Sequence, residues 1–546
     1  MKRFVCLLLA LLMAAGCCFA EEDFFIKRYP LSEGGECIVD DVPFLAGAAP
    51  DDNNRVFYEI FVGSFSDSNG DGIGDLQGII NRMDYLNDGD PASGLSLGVE
   101  GLWLTPIFLS PSYHKYDVTD YYTIDPQFGT MEDLQALIDL CHQRGMKIIL
   151  DLPINHTGHQ SRWFKNFKNA HLLNNPNNLY YDFYDWATVG ETLPAGRVYA
   201  QVFGTDLLYE ANFSDQMPEP DFHNAAVRQA MLDVALFYLD MGVDGFRFDA
   251  AKYIYMGDHE ASAAFWEWYT GELRKVKPDV YTVAEVWDGD GVIDQYLPAT
   301  SCFHFGASQV GGIIAETAKG GDVNRFTSYM ESYLTKVESI SDVALPTLFI
   351  SNHDMDRAAG YLTAASGHMK VAASLYLLMP GSPFIYYGEE IGLRGSRGGA
   401  NTDANRRMAM VWGDGDTIQN PAGTTYDKQT PYSVKDLYRI GDSLYNHYKQ
   451  LLMIRKANPE IARGQYHALQ LSGTKLGGFT CTWEGSTVAV FHNTTINEVT
   501  VDLSTVTDLP LNTISGTAGA GEVKLEGSVL TVPGQTSVVL RQMPET

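Results

Sequence analysis

Apolar and polar positions follow a repeated unit through the middle of the chain. Thr130 stands where a helix N-cap would, with Asp133 three residues on. Leu134, Leu137, Ile138 and Cys141 follow at helical spacing, and Gly145 supplies the stop. A short apolar run over 146–150 then ends at Asp151. The same order returns with Val227, Met231, Val234 and Tyr238 on one helical face, Gly242 as the stop, and a run over 245–248 ending at Asp249. A third copy passes from a helix around 264–277 through 281–284 to Glu285. A fourth apolar run, 347–350, leads into Asn352, His353 and Asp354. Further strand candidates are 56–62, 101–105, 302–305 and 384–387. Short apolar strands separated by helices predict an α/β fold with a parallel sheet. Eight of them over roughly 400 residues predict a closed (β/α)8 TIM barrel, in which strand C-termini converge over one mouth. Asp151, Asp249, Glu285 and Asp354 would then meet there.

Two departures predict further domains. Between Asp151 and Asp221 the strand–helix unit disappears, and the stretch is rich in Trp, Tyr, Phe and Asn. A connection that long without structure is uncommon inside a compact domain, so an inserted domain after the third strand is expected. From about Tyr466 the pattern turns to short alternating strands such as 478–483, 487–492, 529–532 and 538–540, which predict a C-terminal antiparallel β-sandwich. Its aromatics Phe479, Trp483 and Phe491 sit at strand spacing and are expected in its core. The expected division is 1–20 signal, 21–50 N-terminal segment, 51–151 and 222–460 barrel, 152–221 insert, and 461–546 C-terminal domain.

Composition narrows the function. Lys and Arg number 38 against 68 Asp and Glu, a net charge of -30, which disfavours nucleic acid and anionic lipid as partners and suits a neutral one. Lys2 and Arg3 precede an apolar run over 4–15 and then small residues, the pattern of a secretory signal. Cleavage after Ala20 would release a soluble chain from Glu21. Alternatively, AAGC at 14–17 resembles a bacterial lipobox, with Cys17 lipidated. Cys37, Cys141, Cys302 and Cys481 would remain, too dispersed for a metal site, and Cys141 reads as a buried thiol. A monomer is expected.

Several carboxylates at one mouth suit glycosidic bond chemistry, which needs one carboxylate at the sugar cation and a protonated second one at the leaving oxygen. At these positions the sequence resembles the α-amylase family (glycoside hydrolase family 13). DLPINH at 151–156, GFRFDAAK at 245–252, AEVW at 284–287 and FISNHD at 349–354 resemble its four signature segments in order, and MPEPD at 217–221 loosely resembles a fifth. The resemblance spans about residues 50–460. It implies Asp249 as nucleophile, Glu285 as general acid and then base, and Asp354 as the residue binding sugar hydroxyls at the cleavage point. It implies Arg247 as the partner that holds Asp249 ionised, His156 and His353 as donors to sugar hydroxyls, Tyr116 as a stacking aromatic, and Lys252 as a leaving-side contact. Double displacement would retain the α-anomer, with the two carboxyls about 5–5.5 Å apart.

DSNGDGIGD at 67–75 places oxygen ligands at alternate positions around a glycine turn and begins like an EF-hand loop, although its twelfth position is Gly78. The same run binds calcium in oligo-1,6-glucosidase-like members of the family. That likeness implies a structural Ca2+ on Asp67, Asn69, Asp71 and Asp75 with the Ile73 carbonyl. A second calcium site is less well supplied, because the family's α-amylases use the Asn of the first segment, here Asn155, with an Asp where this chain has Glu219. Exo-acting family members carry an acid three residues before the stacking Tyr, where this chain has Tyr113. The expected activity is therefore that of an extracellular α-amylase cutting internal α-1,4 bonds of starch. An α-glucosidase or oligo-1,6-glucosidase, a 4-α-glucanotransferase acting on maltooligosaccharides, and a non-catalytic glycan binder are the alternatives.

Overall fold

The computed structural model describes residues 50–542 apart from 92, 364–366 and 399–401. The expected signal segment, both of its expected processing sites and Cys37 lie outside the described residues. Helix Met131–Gln143 begins with the expected capping box, Thr130 and Asp133 each accepting from the other's backbone N–H, a device that stabilises a helix start by about 1 kcal/mol. Its apolar face is buried, and Gly145 takes the left-handed conformation (φ 69°) that ends it. The chain then enters the fully buried strand Lys147–Leu152. Helix Ala225–Asp240 feeds strand Gly245–Phe248, and helix His259–Val276 feeds strand Tyr281–Ala284, as the repeats predict. Gly245 is obligatory, because a Cβ there would stand 1.7 Å from the Tyr281 carbonyl oxygen of the neighbouring strand.

Seven strands form one parallel sheet in the order 301–302, 281–284, 245–248, 147–152, 101–104, 57–60, 384–386. The expected strand at 347–350 is the exception, since it pairs only through a bridge between Thr347 and Phe303. Pro346 has no N–H to give, and the Phe349 and Ile350 carbonyls accept from Ser308 Oγ and the Gln309 N–H instead of from a ladder. The segment is nonetheless buried, and the Phe384 N–H donates to Leu348 O on its other side. It therefore stands between the two edge strands and closes the (β/α)8 barrel.

Between strand Lys147–Leu152 and helix Ala225–Asp240 lie helix Arg162–Leu172 and an antiparallel sheet of strands 186–188, 207–210 and 199–201. At the C-terminal end, five strands (465–469, 477–483, 486–493, 536–541, 513–518) and three (499–502, 529–532, 524–526) form two antiparallel sheets with apolar residues between them. Phe479 and Phe491 are fully buried, whereas Trp483 lies beneath the Arg463 guanidinium. Cys141, Cys302 and Cys481 are buried free thiols. Among the described residues no helix is long and apolar enough to cross a membrane.

Candidate active site

Two large cavities bracket the barrel. The one at its floor, about 720 Å³, is lined by Arg55, Arg144, Lys147, Lys277 and Arg463, and each of these cations is already paired with an aspartate. The one at the mouth, about 1010 Å³, is lined by Asp249, Glu285 and Asp354 together with Tyr116, His156, Lys252, Trp287 and Arg407. The floor also holds Asp51, Asp244 and Asp279, but each of these is tied to a neighbouring cation, whereas the mouth gathers the acids that end the barrel strands, which makes it the candidate active site.

A single guanidinium organises it. Arg247, fully buried on strand Gly245–Phe248, donates from Nη1 to Asp249 Oδ1 (2.8 Å) and Asp151 Oδ1 (2.9 Å), and from Nη2 to Glu285 Oε2 (2.8 Å). Asp249 and Glu285 follow the paired strand ends Phe248 and Ala284, and Asp151 stands directly beside Arg247 in the register of the next strand, which is why residues distant in sequence share one cation. Glu285 Oε2 also accepts the Ala250 N–H at 3.1 Å, and Ala250 is held in the left-handed region (φ 49°). A non-glycine residue there stores strain of the kind found at functional sites.

Burial raises the pKa of Asp249 and of Glu285, and Arg247 pulls each the other way. Ionised Asp354 adds to the rise of both, and Asp249 to that of Glu285. The Arg247 contact thus acts on Asp249 in the expected direction, favouring its ionised form and limiting the rise that burial imposes. Asp151 is pushed up to about 7, again chiefly by burial. Asp354 behaves differently. Burial opposes its charge, but His353, Arg407 and Arg247 hold its carboxyl far below the usual range. The rim carboxylate is thus firmly charged, while burial raises the two deeper acids against the pull of Arg247.

Residues 59–464 match the family described as "Alpha amylase, catalytic domain". The chain belongs to the α-amylase family. It is 35% identical over 455 residues to "Alpha-amylase 3" of Dictyoglomus thermophilum, covering 81% of this chain and 84% of that one. It is 29% identical over 460 residues to a "4-alpha-glucanotransferase" of Thermotoga neapolitana, covering 81% and 96%. The solved structure of "Eubacterium rectale Amy13B" superposes with a TM-score of 0.82 at 32% identity, covering 91% of this chain and 97% of that one.

The other positions expected from the α-amylase family resemblance fall as follows. Tyr116 lines the cleft, its ring stacked on His353 at 5.5 Å and its hydroxyl donating to Asp151 Oδ2 at 2.9 Å. His156 lines the cleft with both ring nitrogens unpartnered, and burial lowers its pKa to about 4, so the ring is neutral. Lys252 lines it too, with Nζ donating to the Trp287 carbonyl (2.8 Å) and Asp288 (2.9 Å). Arg247 and His353 are fully buried behind the acids, and both nitrogens of His353 face carboxylates.

Four participants received no role from the sequence. Asp151 is the third acid on Arg247. Arg407 donates to Asp354 Oδ1 (2.7 Å) and Tyr113 Oη (3.1 Å). Trp287, 40% exposed, lies stacked on Phe305 in the cleft wall. Glu59 is a charged residue in the middle of an apolar strand, and that oddity was its visible signal.

The 67–75 loop lies apart from these residues. Gly70 and Gly72 are left-handed, as the turn needs. Asp67 accepts the Asn69, Gly70 and Gly72 N–H groups and the Thr417 hydroxyl. Asp75 caps helix Leu76–Asn81. Among the described residues no three His, Cys, Asp or Glu side chains gather as a metal cage. The donors are nevertheless all oxygens, the chemistry that suits Ca2+.

Proposed function

We propose that the chain is a retaining hydrolase of internal α-1,4-glucosidic bonds in starch and related glucans. The observation that carries this reading is the shared hold of Arg247 on Asp249 and Glu285 at the wall of one cleft. Asp249 attacks the anomeric carbon while Glu285 gives its proton to the departing oxygen, leaving a β-glycosyl ester on Asp249. Glu285, now ionised, takes a proton from water, and the water displaces Asp249 with net retention. Asp354, charged and on the rim, accepts from the sugar hydroxyls. His156, with two unsatisfied nitrogens, suits the same task, and Tyr116 and Trp287 offer flat faces to the apolar side of a sugar. The cleft is at the large end for a ligand pocket and has room for more than one ring. No carboxylate stands at Tyr113 to seize a chain end, which supports internal attack.

The relative called 4-alpha-glucanotransferase keeps a transferase reading in view, in which a sugar hydroxyl replaces the water. A product profile separates them. On soluble starch we expect viscosity to fall well before reducing ends accumulate. Glucose as the sole early product would refute internal attack. Conversion of maltotriose into longer and shorter oligomers without new reducing ends would establish transfer.

Export belongs to the same proposal, with either a free chain from Glu21 or one held by lipid at Cys17, and intact mass of the purified protein distinguishes the two. So does a structural Ca2+ on the 67–75 loop, taken up by exchange of the Thr417 hydroxyl on Asp67. Chelator should then lower the melting temperature and added Ca2+ restore it; an unmoved melt would remove the ion from the account.

A further inference from the structure

The first barrel strand, Phe57–Ile60, is apolar except for Glu59, whose side chain is 1% exposed. No Lys or Arg pairs with it among the described ion pairs. Its partner is His353, with Nδ1 2.6 Å from Glu59 Oε1 and the backbone N–H donating to the same oxygen at 3.3 Å. On the other side of the ring, Nε2 lies 2.9 Å from Asp354 Oδ2 and 2.7 Å from Tyr116 Oη. The Tyr116 hydroxyl gives its own proton to Asp151, so toward His353 it accepts. Both ring nitrogens thus face acceptors. With both carboxyls ionised, a neutral imidazole would leave one of them against a lone pair and only the imidazolium satisfies both; burial raises the Glu59 pKa, and His353 and Arg247 oppose that rise.

We propose that Glu59 is a positioning residue that keeps His353 doubly protonated, so that His353 in turn holds Asp354 ionised and aimed at the cleft. This deepens the glycosidase reading and rests on it for its kinetic consequence, though not for its structural content. The chain of cause runs from a buried charge on the first strand, through one ring, to the rim carboxylate that accepts sugar hydroxyls.

The groups around His353 are Glu59 from the first strand, Asp354 beside it, Tyr116 from the 110–119 loop, and Arg407, whose Nε donates to the His353 carbonyl at 3.1 Å. Asp151, Asp249 and Arg247 act at longer range from the neighbouring strands. Burial disfavours the imidazolium, but Asp354 and Glu59 outweigh it and raise the ring to about 10. His353 therefore stays charged across the neutral range while Glu59 is present.

The test is Glu59→Gln, which keeps size and an acceptor oxygen but removes the charge. In the wild type, ¹⁵N shifts of His353, assigned by the signal lost in His353→Gln, should show an imidazolium at pH 8. In Glu59→Gln the ring should titrate about 1–3 units lower, the usual effect of one adjacent opposite charge. The alkaline limb of kcat on soluble starch, which in the wild type reports loss of the Glu285 proton, should acquire a second, steeper loss at the lowered His353 midpoint. Glu59→Asp, which restores the charge, should restore the limb even if kcat stays lower. A neutral His353 at pH 8 in the wild type would overturn the proposal. So would a His353 titration unmoved in Glu59→Gln, or an equal loss at every pH, which is what a purely structural role gives. If Glu59→Gln does not fold, the wild-type and Glu59→Asp spectra still decide. If no α-glucan is cleaved by the wild type, the functional reading fails while the spectra continue to test the charge.

Discussion

Asp249→Asn should leave the melting temperature nearly unchanged and reduce release of reducing ends from starch by on the order of 10⁴-fold, the scale at which a covalent nucleophile contributes. The amide keeps the shape and an acceptor oxygen for Arg247 Nη1, now 2.8 Å from Asp249 Oδ1. It also removes a negative charge from a site where burial already penalises charge, so the fold loses little. What disappears is the electron pair that forms the glycosyl ester. The check is a starch assay beside a thermal melt of the same preparation. Retention of more than a few per cent of activity would mean that another group attacks, and Asp151, the next carboxylate on the same guanidinium, would be the first to examine.

Arg247→Leu should be the most damaging single change to the fold around the mouth. The guanidinium is the common donor to Asp151, Asp249 and Glu285. Its own charge survives burial because those acids outweigh the desolvation that disfavours it. Removing one partner of a buried ion pair typically costs about 3–5 kcal/mol, because the other charge stays behind without compensation. Here three carboxyls stay behind. They would respond by taking up protons, so the variant should be less unstable in mild acid than at neutral pH. The sign follows from linkage: groups whose folded pKa is raised favour the folded state where they are protonated, and that advantage is lost as pH rises through the raised values. Denaturant titrations at pH 5 and pH 8 measure it; equal destabilisation at both would show that the acids find other partners.

Much of this site was legible from periodicity alone. Each helix stop, apolar run and terminal acid marked one unit, and the barrel's closure follows from counting them. Asp249 and Glu285 could be placed at a common mouth because a parallel strand delivers its last residue to a fixed end of the sheet. The run at 347–350 shows the limit. Its burial was visible in its composition, but its poor pairing depends on where the Ser308 side chain and the Gln309 N–H lie, and no local pattern encodes that. Arg407 was invisible for a similar reason. It sits at the end of a 3-10 turn, Asp403–Arg406, and the alternating apolar residues that follow, Met408, Met410 and Trp412, say nothing of the cleft. Asp151 was seen at its strand end, yet its bond to Arg247 is a property of strand neighbours 96 residues apart. The protonation bias of the two deep acids could not be read at all, since it depends on burial more than on which charges are nearby.

The stave at 347–350 has a thermal consequence. Joined to one neighbour by a single bridge and the Gln309 N–H, and to the other by the Phe384 N–H, it is the seam of an otherwise laddered cylinder, and segments held by fewer ladder bonds open at lower free energy than the whole. His353 and Asp354 hang from its end. Warming would unhook the rim acid from the pair on Arg247 while the remaining shell still holds, so turnover would fade reversibly before the protein melts.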